Sequence, residues 1–100
     1  MATKITDNNF PEIVIGTIIS NYPISAETEP EEQYKSDINE TTYYEVENIV
    51  GTELIAKQVY PFFENGRIVL RGNINVANMN IELARQRIDR NTVINGKWWK

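Results

Sequence analysis

The sequence contains no histidine and no cysteine. Without cysteine there is no disulfide framework, no thiolate nucleophile and no Cys-based zinc or iron–sulfur site, and nothing identifies a redox compartment. Without histidine the chain lacks the side chain most often used as general base or metal ligand near neutral pH. Glycine and proline are sparse, five and four in 100 residues, and the glycines form neither a phosphate loop nor a dinucleotide fingerprint. Long apolar runs are missing as well. The longest, Ile13 to Ile19, is too short to span a bilayer, and the first ten residues hold no apolar h-region. These absences predict a non-enzymatic, soluble chain with no cofactor, metal or membrane attachment, beginning at or near Met1 and not secreted by a classical signal peptide.

What is present fits one small folded domain spanning residues 1–100. The composition, 41% hydrophobic and 24% charged with ten aromatics, is that of a globular protein. Fourteen Ile and twelve Asn are the bias that AT-rich coding sequence produces, as in viral, phage and low-GC bacterial genomes. Charge is divided unevenly: residues 1–50 carry a net −8 and residues 51–100 a net +4. The two halves can therefore attract one another in the fold, or offer separate surfaces to partners.

Glu12 to Ser20 is β-branched and apolar on both parities, which predicts a strand covered on both faces. Residues 21–40 hold two prolines and six carboxylates with little periodicity and read as a long acidic surface loop. Thr42 to Val50 returns to β-favouring residues and Gly51 punctuates it.

The strongest local signal is Asn65-Gly66, which fits a two-residue type I′ turn. Counting outward, Glu64 faces Arg67, Phe63 faces Ile68, Phe62 faces Val69, Pro61 faces Leu70 and Tyr60 faces Arg71, continuing to Val59 with Gly72 and Ile55 with Val76. Alternation then predicts a core face of Ile55, Val59, Pro61, Phe63, Ile68, Leu70, Ile74 and Val76, with Lys57 intruding. The opposite face collects Phe62 with Val69, Tyr60 with Arg71, Gln58 with Asn73 and Ala56 with Asn75, and sets Tyr60 near Arg71 for a cation–π contact. It reads either as a solvated exterior or as a partner-binding face, since Tyr, Phe and Arg are enriched at interface hot spots. Pro61 sits at a non-hydrogen-bonded pair, so the strand from Leu54 to Phe63 should be a sheet edge at least near Pro61.

Beyond Val76 the alternation breaks at Ala77 to Asn80. Asn80 as N-cap and good helix formers predict a helix from about Ile81 to Arg90, with a strand through Met79, Ile81 and Leu83 as the rival. Asn95-Gly96 suggests a short terminal hairpin.

Three binding surfaces can be drawn. Tyr60, Phe62, Val69 and Arg71, joined by Trp98 and Trp99, form the candidate protein-binding set. Arg85, Arg87, Arg90, Lys97, Trp98, Trp99 and Lys100 interleave cations and aromatics as single-strand-binding surfaces do, against the acidic balance of the whole. Glu27, Glu29, Glu31, Glu32 and Asp37 could instead imitate a phosphate array and occupy a basic groove of a nucleic-acid-binding protein. As an acid–base pair or calcium site that cluster is poor, having no apolar wall and no EF-hand spacing. The expectation is a β-rich α+β protein with an antiparallel sheet of four to five strands and one short C-terminal helix. It would act by protein–protein association or self-association, as an accessory or structural subunit of a larger assembly, in a virion or the cytoplasm. A small acidic inhibitor is the alternative.

Overall fold

A computed structural model describes residues 2–23 and 42–100. The expected acidic loop, apart from Asn21 to Pro23, lies outside these described residues. The fold is β-rich and antiparallel, with a five-stranded sheet, a separate two-stranded hairpin, a 3₁₀ turn at Phe10–Glu12 and one short C-terminal helix.

The strands are β1 (Ile18–Ser20), β2 (Tyr43–Val50), β3 (Glu53–Glu64), β4 (Arg67–Arg71), β5 (Asn73–Val76), β6 (Met79–Glu82) and β7 (Arg85–Asp89), followed by helix α1 (Arg90–Asn95). β1 pairs with β2, and β2 pairs with β3 from Tyr43↔Val59 to Val50↔Glu53 across a bulge between Val46 and Asn48. On its other edge β3 pairs in tandem, with β7 over Glu53–Lys57 and with β4 over Tyr60–Glu64. The expected register of Tyr60–Glu64 against Arg67–Arg71 is found pair for pair. Asn65 (φ 52°) and Gly66 (φ 77°) both take the left-handed conformation of a type I′ turn.

Further along, the register expected for Val59 to Ile55 is replaced. After Arg71 the chain leaves β3, makes the β5–β6 hairpin, and returns to β3 as β7. The β5–β6 hairpin has its own two-residue turn, Ala77 (φ 51°) and Asn78 (φ 65°).

The helix expected over 81–90 is also corrected. Ile81 and Glu82 end β6 and Arg85–Asp89 form β7, so the rival strand reading holds as far as Glu82. The helix starts at Arg90, capped by the Asp89 carboxylate accepting from the Asn91 N–H at 3.1 Å. Helix propensity is a weak preference, and here the unpaired edge of β3 recruits Arg85–Asp89 because Ile88 buries opposite Leu54. No terminal hairpin forms at Asn95-Gly96, since Gly96 ends α1. Trp98 to Lys100 runs instead between the N-terminal segment and β1. Ile5 donates to the Trp98 carbonyl, Thr3 and Lys100 exchange hydrogen bonds, and Trp99 exchanges two with Ser20.

The core contains Ile5, Ile13, Ile19, Tyr44, Val46, Leu54, Ala56, Ile88 and Val93, with Phe10, Ile94 and Trp98 packed on it. The expected faces are thus inverted over the first half of β3. Leu54 and Ala56 are fully buried, Ile55 is only half-buried and Val76 is exposed. The physical reason is that the cover comes from the chain's two ends, which supply Ile5, Ile13 and Val93 to the face of β3 that carries Leu54 and Ala56. Val59 is buried as expected, but with Tyr43 across from it rather than Gly72. Pro61, Ile68 and Leu70 are half-buried.

Candidate interaction surfaces

Successive even-numbered residues of β3 point to one face. From Leu54 and Ala56 in the core the line passes Gln58, half-buried, to Tyr60, which is 42% exposed, and half-buried Phe62. The face that is core at one end of this long strand is surface at the other. Tyr60 and Phe62 lie ring to ring, centroids 5.4 Å apart and tilted by 58°, the inclined geometry that aromatic quadrupoles favour. Across the ladder Val69 and Arg71 complete the same face.

The structure therefore brings Tyr60, Phe62, Val69 and Arg71 together. The expected Tyr60–Arg71 cation–π contact is replaced by an ion pair: Arg71 donates to both oxygens of Glu64, at 2.8 and 2.9 Å. Both bonds come from Nη2, and a charge-assisted hydrogen bond of this kind outweighs a contact with a ring face. Among the described residues the cation–π contact lies elsewhere, with the Arg90 guanidinium 5.3 Å from the Phe10 ring centre. Arg90 also pairs with Asp7, which ties the N-terminal segment to α1.

Pro61 marks an open edge. The Gln58 N–H donates to Ala84, on the β7 side, so even-numbered amides face the β4 and β7 line and odd-numbered ones face β2. β2 stops pairing at Val59. Among the described residues no strand lies beside Pro61 to Glu64 on that side, and the missing amide of Pro61 costs no ladder bond. Leu54 to Val59, by contrast, is paired on both edges or buried between them, so the expected edge is confined to the distal end of the strand.

Trp98 and Trp99 belong to a different place. Trp98 packs on the core, its ring 5.7 Å from that of Tyr44 and inclined by 56°. Trp99 stands beyond β1, which stands beyond β2, so three strand spacings, about 14 Å, separate it from β3. The six residues expected as one binding set thus divide into a distal group of four and a pair at the seam between the chain's two ends. Arg90 and Lys100 of the basic set also serve that seam, pairing with Asp7 and Glu12. Of the acidic alternative, Glu27, Glu29, Glu31, Glu32 and Asp37 lie outside the described residues.

A further surface was hidden in the sequence. In the β5–β6 hairpin Val76 faces Met79 and Ile74 faces Ile81, whereas Asn75 faces Asn80 and Asn73 faces Glu82. One side of the ribbon is apolar and the other is polar, with three carboxamides and the Glu82 carboxylate. The signal was the two-residue break at Ala77-Asn78 between two alternating runs, but alanine gives no hint of a left-handed turn. At the base of the ribbon Glu82 accepts from Lys57 at 2.9 Å and from Arg85 at 2.8 Å, and Arg85 reaches on to Glu47 at 2.7 Å. The hydrogen bond from Lys57, then that from Arg85, holds the Glu82 carboxyl below the usual carboxylate range. The bond to Glu47, then that to Glu82, raises Arg85. Burial raises the hydroxyls of Tyr43 and Tyr44. Among the described residues no group of three or more carboxylates gathers as a metal site, and no helix is long and apolar enough to cross a membrane.

No family model, curated protein or solved structure matches this chain, so its chemistry rests on the surfaces themselves.

Proposed function

We propose that this chain is a non-enzymatic protein–protein association module, a small accessory or structural subunit of a larger assembly, and that its β3–β4 tip is the surface that docks. One observation supports the reading: the core line of β3 continues past the cover of the fold to the inclined ring pair Tyr60 and Phe62, beside an edge that no described strand covers at Pro61. An edge with unpaired backbone groups and adjacent aromatics is suited to strand addition, in which main-chain hydrogen bonds supply affinity and side-chain pockets supply selectivity. A virion is the assembly that the Ile- and Asn-rich composition favours.

Photo-crosslinking in the source cell tests this. A photoreactive residue placed at position 60 should yield an adduct of one discrete mass with another polypeptide, and one placed at exposed Asn91 should not. Equal background from both positions would overturn the reading.

A further inference from the structure

Of the twelve asparagines, only Asn65 and Asn95 precede a glycine. That pairing carries a chemistry of its own. The backbone nitrogen of the following residue can attack the asparagine side-chain carbonyl carbon, and glycine, having no side chain, hinders its own nitrogen least. The sequence presents the two pairs as equals; the structure separates them.

Asn65 and Gly66 are exposed at the end of the β3–β4 hairpin, at φ 52° and 77°. The closing hydrogen bonds of a two-residue turn belong to the flanking residues, here Glu64 and Arg67, so the Gly66 amide stands outside the ladder. Closing a ring between that nitrogen and the side chain requires rotation about the Cα–C bond of the asparagine. Nothing crowds this turn: a Cβ built on Gly66 would meet no atom within 4 Å.

Asn95 is exposed as well, but it is the last residue of α1 and is followed by a half-buried Gly96. A Cβ on Gly96 would stand 2.5 Å from the Thr92 carbonyl oxygen and 3.2 Å from Cδ1 of Trp98. Trp98 is in turn packed on the core, and its carbonyl accepts from Ile5. Rotation at Asn95 therefore has to lift Gly96 out of a close contact and pull on an anchored segment. Asn78 completes the comparison. It takes the same left-handed conformation (φ 65°), exposed at the tip of the β5–β6 arm, but its neighbour is Met79, whose side chain hinders attack by its own nitrogen. Among the described asparagines, Asn65 alone combines the reactive neighbour with an uncrowded turn.

We infer that Asn65 is a site of spontaneous deamidation, and that the altered turn loosens the β3–β4 hairpin. The Gly66 nitrogen bonds to Cγ of Asn65 and gives up its proton, the Cγ–Nδ2 bond breaks, and ammonia leaves a five-membered succinimide behind. Water then adds to one of the two ring carbonyls, and the ring C–N bond at that carbon breaks. Opening at Cγ gives aspartate, which suits the same turn. Opening at the main-chain carbonyl gives isoaspartate, in which the chain runs through Cβ and Cγ and the former main-chain carbonyl becomes a free carboxylate. A turn of two residues has no slack for an added backbone carbon. β4 must then slip or release the pairs nearest the turn, Glu64 with Arg67 and Phe63 with Ile68. The inference is independent of the docking reading for this tip, because the reaction and its effect on the hairpin are read in the isolated chain.

Peptide mapping by mass spectrometry of the purified chain, held in neutral buffer and sampled over time, decides it. IsoAsp is distinguished from Asp by enzymatic methylation of its free carboxylate, and a parallel sample is held unfolded in guanidinium. The reaction proceeds from locally opened states, so in the folded chain Asn65 should convert at least about tenfold faster than Asn95. In guanidinium the two rates should converge. The isoAsp form, separated from the parent by its added charge, should show faster hydrogen exchange in β4 than the parent does, with β2 unchanged. Asn65→Gly keeps a turn-forming pair and should give no acidic species on the same timescale. Conversion of Asn95 as fast as or faster than Asn65 in the folded chain overturns the inference, as does conversion of Asn65 only in guanidinium. Unaltered β4 exchange in the isoAsp form, or the same acidic species from Asn65→Gly, overturns it equally.

Discussion

β3 carries two different environments along a single strand. Over Glu53 to Lys57 it is paired on both edges and packed under Ile5, Ile13 and Val93, so its alternating side chains are sorted into core and exterior by layers contributed from both ends of the sequence. Over Tyr60 to Glu64 it is paired on one edge among the described residues, and the same alternation leaves Tyr60 42% exposed. The residue types along this face stay apolar or aromatic at both ends, with Gln58 between them. What changes is whether another layer arrives. Apolar character therefore marks core at one end and a candidate contact surface at the other.

The largest test of this contrast is Leu54→Ala. Leu54 is fully buried, so its loss should cost about 3–5 kcal/mol, combining lost transfer energy with a cavity. Chemical denaturation reads this directly, and a cost below about 1 kcal/mol would mean that the core lies elsewhere. Asn65→Pro comes next. Proline cannot adopt φ 52°, so the turn must rearrange at about 2–3 kcal/mol, with the β4 amides losing exchange protection before those of β2. An unchanged melting temperature would contradict the type I′ turn.

Tyr60→Ala should separate the two ends most cleanly. At the open end it loses about 1 kcal/mol, chiefly its stacking on Phe62; a cost like that of Leu54→Ala would place Tyr60 in the core after all. The smallest effect belongs to Glu82. Its ion pairs lower its pKa in the folded state, so their contribution is complete above the ordinary value of 4.5 and is lost as pH falls through the lowered folded value. The side-chain carboxyl resonance should titrate with a midpoint below 4.5, and exchange of the 73–82 amides should quicken as it does so. A midpoint at or above 4.5 would mean that the base of the arm is not ion-paired in solution.

These contrasts also explain what could be read from the sequence. The β3–β4 register was legible because Asn65-Gly66 and Pro61 act locally: the turn sets the pairing and the missing amide marks the free edge, whatever lies elsewhere in the chain. The core face was not, because alternation gives two faces and does not say which one Ile5, Ile13 and Val93 will cover. Arg85 to Asp89 reads as helix in isolation and becomes strand only because β3, some thirty residues earlier, has an edge to fill. The distal group of Tyr60, Phe62, Val69 and Arg71 followed from register alone. Arg71 chose Glu64 over Tyr60 because the carboxylate faces the same side two hydrogen-bonded pairs nearer the turn, within reach of the guanidinium. The arm escaped notice because its turn uses Ala77, a residue with no preference for that conformation.

The ladder between Thr3–Ile5 and Trp98–Lys100 has a kinetic consequence. Its partners stand at opposite ends of the sequence, and Trp99 must slot between the N-terminal segment and β1 before Ile5 is sealed in. Contacts this distant in sequence give no early reward for the entropy spent in closing them, so refolding belongs in the millisecond-to-second range of non-local β proteins. The β3–β4 hairpin, whose closure spans a two-residue turn, can form within about 10 μs. A refolding trace that combines hairpin amide protection with tryptophan emission should therefore resolve in time the same two ends that the structure separates in space.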